Sequence, residues 1–296
     1  MNFQKINWPN EKSFAFTIID ETDYGTTENL TSIYKLLLER KIKITKTVWL
    51  YHTRDHFTGD SLEDKSYRDF ILHLNKNGVE IALHNVGSGF FSYQEKKNAM
   101  NLFKKYIGYF PKILVNHSNM DNIYWGHKRF IFPFNFFYKV FQRRQFYGDD
   151  AKSEHFWGDI VKEHIDYIPN FSFKNNFTSF FDDRMPYIIN RKTKYSNYWF
   201  STTLVKTIED FEYFTSKEFV DLLEKKNAFV ILHVCFGKLN IKEMEMLKKQ
   251  IKHLSERNGW FVTVSELLDF LRQQQTQRIL KYKDELILTL RWLFNR

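Results

Sequence analysis

The chain has almost no cysteine: Cys235 is the single one among 296 residues. One thiol allows no intrachain disulfide and no metal site built on several thiolates. No run approaches the roughly 18 apolar residues that a membrane-spanning helix needs. The opening stretch MNFQKINWPNEKSFAF holds no apolar run of signal-peptide length, so the cytoplasm is the expected compartment. Internal repeats and low-complexity tracts are absent, so no solenoid or long linker is indicated.

What is present points to a sizeable folded unit. Hydrophobic residues make up 43% of the chain, enough for the core of one large domain or two small ones. The 31 Phe, 16 Tyr and 7 Trp supply stacking surfaces, which serve ordinary cores as well as sugar-binding clefts. A formal charge of +9 suits an anionic partner such as lipid headgroups or an acidic glycan. Lys and Arg are spread along the sequence, however, and no DNA- or RNA-binding motif is seen. Nucleic acid is therefore not an expected partner.

Short apolar runs alternate with segments of helical period. Residues 14–19, 42–50, 79–84, 112–117, 228–234 and 260–264 read as strands. Between them, TENLTSIYKLLLERK places Leu30, Ile33, Tyr34 and Leu37 on one helical face. SLEDKSYRDFILHLNKNG reads as a helix with Ser61 and Asp64 as a capping box and Gly78 as its stop. SYQEKKNAMNLFKKYIG is a helix stopped by Gly108, and NIKEMEMLKKQIKHLSERNG is another. Strands that are apolar throughout and alternate with helices imply an α/β fold, a mainly parallel sheet covered by helices.

Residues 118–158 are less regular and rich in Phe, Tyr, Trp and Asn; they read as a long insertion over one end of the fold. One domain is expected over residues 1–275, followed by an amphipathic C-terminal helix over 276–296. That helix mixes Ile279, Leu280, Leu286, Ile287, Leu290, Trp292 and Leu293 with basic residues. It suits packing on the domain or on a second copy, and also peripheral contact with an anionic surface such as the inner membrane.

Polar residues recur at one topological place. Asp20, Glu21 and Asp23 follow the first strand, His84 and Asn85 the third, Asn116 and His117 the fourth, and His233 lies near the end of a late one. In a parallel α/β sheet or barrel these carboxyl ends face one side, where active sites assemble. Carboxylates with neutral imidazoles suit a borderline divalent ion such as Zn2+. A carboxylate left off the metal suits general-base work on water. Each group also has a plainer reading. Asp23 suits a cap for the helix beginning near Thr26 or Thr27, Asp20 a solvated turn acid, His84 or His233 a hydrogen-bonded core histidine, and His117 a turn residue. Chance would scatter such groups over both ends of a sheet, so their gathering favours a site.

At these residues the chain resembles the polysaccharide deacetylases of the NodB-homology type, carbohydrate esterase family 4. That family opens with an apolar strand ending in paired acids, a Thr-led helix and a second strand. The counterpart here is FAFTIIDETDYGTTENLTSIYKLLLERKIKITKTVW. GVEIALHN resembles the family's first histidine block, GYFPKILVNHS has the position of its Gly-Pro-Arg block, and FVILHV that of its late histidine strand. The blocks cover most of residues 12–118 and 228–271. More narrowly, DETD, ALHNVGSG and VNHSNMDNIYWG resemble a branch associated with bacterial surface-polysaccharide loci, such as O-antigen or capsule.

The resemblance implies a distorted (β/α) barrel and a metal-dependent hydrolase that removes an N-acetyl or similar N-acyl group from a sugar. In the family the first acid is the general base, the second a metal ligand, two histidines complete the protein ligands, and the late histidine is the general acid. Carried over, Asp20 takes the base position, His84 the first histidine ligand and His233 the general acid. For the second acid Asp23 is preferred, being freer to turn back to the ion, and Glu21 stays the alternative. Two departures stand out. Ser88 occupies the position of the second histidine, and VNHS replaces the arginine and proline after the fourth strand. His117 is then expected to supply the missing ligand, with Zn2+ as the ion. The competing reading is a decayed metal site in a non-catalytic member that binds a glycan or a partner enzyme. Asn85, Asn116, Tyr124, Trp125 and Trp157 are the candidates for sugar binding; Trp157 also suits a structural role.

Overall fold

The computed structural model describes residues 6–141, 144–274 and 278–295. Ten strands follow one another in the chain: β1 (Phe14–Asp20), β2 (Thr45–Val48), β3 (Glu80–His84), β4 (Leu114–Val115), β5 (Tyr167–Phe173), β6 (Tyr187–Ile188), β7 (Tyr198–Leu204), β8 (Phe229–Val234), β9 (Gly259–Phe261) and β10 (Arg278–Ile279). Their order in the sheet is β10-β6-β7-β8-β1-β2-β3-β4, with β5 beside β7 and β9 beside β1. Every pairing is parallel except β6 with β7. A parallel bridge from Ile113 to Tyr167 joins the β4 edge to β5, which curls the sheet into a distorted (β/α) barrel.

β1 sits at the centre because it is apolar on both faces, and each of its residues is buried. β8 pairs along it from Ala15 to Asp20. β9 takes its first three residues and β2 its last two, Ile19 against Thr45 and Asp20 against Lys46. This arrangement fixes the end of β1, and with it the acidic loop that follows.

Local signals set the helix ends. Thr26, not Asp23, caps the helix Thr27–Glu39: its hydroxyl accepts from Asn29 N while the Asn29 side chain accepts from Thr26 N. Asp23 is thereby left for other work. The expected capping box at Ser61 is displaced. The helix Lys65–Lys76 has Asp64 at its N-cap, and the Asp64 carboxylate turns back to Ser61 N. Ser92 with Glu95 does form a capping box, and Gly108 ends that helix in the left-handed region. β4 is shorter than the sequence suggests. Asn116 leaves the ladder to clamp Ile123 through both its amide atoms.

The stretch 118–158 contains the short turn Gly126–Arg129 and the helix Phe134–Phe141. That helix buries none of its residues, and Phe132, Phe136, Phe137, Val140 and Phe141 are all exposed. The C-terminal helix Tyr282–Phe294 buries Leu288, Thr289 and Trp292, with the Trp292 ring against Phe130 and Phe171. It packs on the domain with its central apolar residues turned inward. Residues 276, 277 and 296 of the expected helix lie outside the described residues. No described helix is long and apolar enough to cross a membrane.

Candidate metal centre and its cleft

The loop after β1 turns sharply. Gly25 N donates to Thr22 O, Tyr24 adopts a left-handed backbone, and the Cys235 thiol donates to Asp23 O. Gly237 lies so close that a Cβ there would meet Asp23 O and Gly25 N at 2.5 Å; only glycine fits between the loops. The turn carries the Asp23 carboxylate to the ends of β3 and β4.

Three buried ligand atoms converge there: Asp23 Oδ1, His84 Nε2 and His117 Nδ1. Their separations are 3.2 Å (Asp23–His84), 3.5 Å (Asp23–His117) and 2.9 Å (His84–His117). Ligands at ordinary Zn–N and Zn–O bond lengths on a tetrahedron stand about 3.3 Å apart. Asp23 Oδ1 is buried without a well-aligned hydrogen-bond donor, the state of an oxygen arranged to take a cation. The donor set and its spacing therefore fit a divalent ion. Trp49 and Phe57 wall the site, with Phe57 edge-on to His117 at 4.5 Å.

His117 is oriented from behind. Its Nε2 lies 2.8 Å from Ser88 Oγ, and that hydroxyl also reaches both oxygens of Asp55, at 2.7 and 2.8 Å. Ser88 has one proton and gives it to Asp55. It must then accept from His117 Nε2–H, which leaves the Nδ1 lone pair facing Asp23 and His84. Burial and the neighbouring His84 push His117 down to about 3, so it is neutral as a ligand must be. Burial works against the charged forms of Asp23 and His84, yet their contact lowers the Asp23 carboxyl and raises the His84 imidazole, whose proton a bound cation would displace. Ser88 thus stands where the resemblance calls for a second histidine, and orients the histidine that lies beside Asp23 and His84. The Asp55 contact carries no motif and was not visible in the sequence.

Glu21 and His233 form a second group, 2.7 Å apart from Oε1 to Nε2. Burial alone would raise the Glu21 carboxyl, but the charge and contact of His233, with His84 and Lys238 adding, hold it well below the ordinary carboxylate range. About a quarter of the Glu21 side chain, 24%, reaches solvent. The pair lines a cleft with two lobes. One lobe, about 460 Å3, runs past Val205, Ile208, Phe211, Phe236 and Leu239. The other, about 300 Å3, runs past Trp125, Arg129, Asn170, Lys174 and Trp292. Glu21 links the cleft to the triad, since its charge acts on both His84 and His117.

Asp20 is not placed for the base role assigned to it. Its Oδ2 accepts from Lys46 Nζ at 2.8 Å and Tyr34 OH at 2.7 Å, its Oδ1 accepts from Phe236 N, and none of it is exposed. A carboxylate so occupied is part of the floor. Glu21, one residue on, faces the cleft beside the triad instead. A lysine inside the apolar strand IKITKTVWL was the available sign that a buried acid faced it.

The sugar-binding candidates separate as well. Trp125 lines the cleft. Asn116 lines it too, but its amide is spent on Ile123. Asn85 is buried and donates to Asn122, away from solvent. Tyr124 is half-buried against Tyr195 and Trp199. Trp157 is a core residue, its indole N–H donating to Asp121 O, so it offers no face to a sugar.

No family model matches the chain, and no curated protein matches it. Solved structures do. One is a probable polysaccharide deacetylase from Pseudomonas aeruginosa PAO1, at TM-score 0.58 and 12% identity over 91% of this chain and 94% of that one. Another, designated a polysaccharide deacetylase in Mycobacterium smegmatis, has TM-score 0.51 and 13% identity over 94% and 96% of the two chains. The chain has the polysaccharide-deacetylase fold. At such identities the likeness rests on the deacetylase barrel alone, and function has to be argued from the side chains at its rim.

Proposed function

We propose that the protein is a metal-dependent hydrolase that removes an N-acetyl or similar N-acyl group from a sugar, in the making of a bacterial surface polysaccharide. The convergence of Asp23, His84 and His117 beside the Glu21–His233 pair carries this reading, and the deacetylase fold supports it. Asp23, His84 and His117 would hold the ion, of zinc type by their donor set. A divalent ion in such a site polarises a carbonyl oxygen and lowers the pKa of water.

The chain's own residues handle the protons. Glu21 is ionised and takes a proton from the attacking water as its oxygen bonds to the amide carbon. His233, in contact with Glu21, gives its Nε2 proton to the amide nitrogen as the C–N bond breaks, since an unprotonated amine leaves poorly. The Glu21 proton then passes to His233 across their 2.7 Å contact, which restores both groups.

Elemental analysis of the purified chain tests the reading together with acetate release from N-acetylated hexosamines. His84→Ala should lose both ion and turnover; Glu21→Gln should keep the ion and lose turnover. A chain that holds no ion and takes none on reloading would instead be a glycan-binding protein on a hydrolase scaffold.

We also infer a peripheral contact with an anionic bilayer, made by the helix Phe134–Phe141 rather than by the C-terminal helix. Leu288 and Trp292 of the C-terminal helix are buried in the domain. The aromatic face of Phe134–Phe141 is open, with Phe141 82% exposed and Phe136 58%. From Phe130 to Phe146 the sequence has Lys139, Arg143 and Arg144 and no acid, which complements anionic headgroups.

A further inference from the structure

We propose that the smaller lobe of the cleft receives an anionic group carried by the sugar, a phosphate or a carboxylate. The proposal rests on the deacetylase reading of the same cleft and adds the substrate class to it. Three cations border this lobe: Arg129 at the end of the turn Gly126–Arg129, Lys174 just after β5, and Lys206 beyond the end of β7. Glu21 is the one acid among the described residues lining it, against three cations, and it faces His233 at 2.7 Å. No carboxylate among the described residues pairs with Lys174 or Lys206. Close by, Lys128 is paired with Asp149 and Arg191 with Glu285. Lys174 and Lys206 therefore bring positive charge up to the Glu21–His233 pair, inside low-dielectric walls that strengthen it.

Arg129 shows that this is a built surface. Its guanidinium lies 4.2 Å over the Trp125 ring, 5.0 Å from Phe171 and 5.2 Å from Trp292, and it donates to Asn170 O. Packing on three rings fixes the planar fork before any ligand arrives, so little side-chain entropy is lost on binding. The other lobe is walled by Val205, Ile208, Phe211 and Phe236, and there two acids, Glu21 and Glu243, balance two cations, Lys206 and Lys238. The two lobes meet at Glu21, Leu204, Lys206 and His233. A sugar whose amide lies over Glu21 and His233 thus meets an excess of cations on one side only, and its anion is directed toward β5.

Calorimetric titration of the full-length, metal-loaded chain tests this with three probes: the neutral methyl glycoside of N-acetylglucosamine, N-acetylglucosamine 1-phosphate, and N-acetylglucosaminuronic acid. The charged probes should bind about tenfold or more tightly than the neutral one, the worth of a charge-assisted contact, and the preference should shrink as salt is raised. Whichever charged probe binds tighter identifies the group as phosphate or carboxylate. The double variant Lys174→Gln with Lys206→Gln should lose most of the preference, and the Arg pair at the same positions should keep it. Equal binding of charged and neutral probes, no binding of any, or a preference that survives the Gln pair overturns the proposal. Acetate release separates the two readings. Turnover without charge preference removes the anion site and leaves the deacetylase; charge preference without turnover of any probe does the reverse.

Discussion

Ser88 Oγ lies 2.8 Å from His117 Nε2 and hands its proton to Asp55. A hydroxyl thereby fixes which nitrogen of His117 faces Asp23 and His84. Ser88→Ala should lower affinity for the metal about 10- to 100-fold, the usual cost of losing a group that orients a ligand, while the fold persists. Competition with a chromophoric chelator measures it, and circular dichroism checks the fold. Unchanged affinity would mean that His117 is held by Phe57 and Trp49 alone.

Asp20 and Glu21 are neighbours with opposite duties, and paired substitutions separate them. Asp20→Asn leaves the fully buried Lys46 ammonium without its counter-charge and should cost about 3–5 kcal/mol in urea unfolding. Glu21→Gln breaks only the pair with His233 at the cleft wall and should cost less in unfolding than Asp20→Asn while abolishing turnover. The reverse pattern would return the base role to Asp20.

Asp182 offers a test by pH. It is fully buried, its Oδ2 accepts from Ser201 Oγ, and its Oδ1 has no partner. Burial raises its carboxyl above the ordinary range, against the Ser201 bond and the Arg184 charge. A raised acid binds its proton more tightly when folded. Its contribution to stability is complete below the unfolded value of about 3.9 and is lost as pH rises through the folded one. Asp182→Asn does not titrate, so its melting temperature relative to wild type should climb as pH is raised from about 4. A difference independent of pH would show that Asp182 stays ionised throughout.

The aromatic face of the helix Phe134–Phe141 predicts binding to vesicles. The chain should sediment with vesicles rich in phosphatidylglycerol and much less with neutral phosphatidylcholine. Serine at Phe136, Phe137 and Phe141 together should release it. Should the same triple variant instead convert a dimer to a monomer, with vesicle binding absent, the face belongs to a second copy.

Much of the framework was legible because its signals are local. The apolar run at Phe14–Ile19 and the glycine stop at Gly108 each act within a few residues, whereas the boxes at Thr26 and Ser92 were not read and the one expected at Ser61 did not form. The parallel sheet followed from strand–helix alternation. The stretch 159–227 gave no reading, because β5 and β7 carry Pro169, Asn170, Ser172 and Thr202 in place of continuous apolar residues. At the site, the sequence gathered the acids and histidines but did not say which way each pointed. Asp20 ends β1 and Glu21 follows it, so a single step along the chain separates a buried side chain from one at the cleft. The Ser88–Asp55 contact spans separate loops, and only the folded chain brings those loops together.

The ion pair beneath the rim has one more effect. Asp20 and Lys46 stand opposite each other in the ladder between β1 and β2. Sliding either strand by one place would strand two opposite charges in hydrocarbon, so misaligned versions of this barrel are penalised before they compact. The chemistry at the mouth inherits its accuracy from that electrostatic proofreading, carried out by two residues no ligand ever meets.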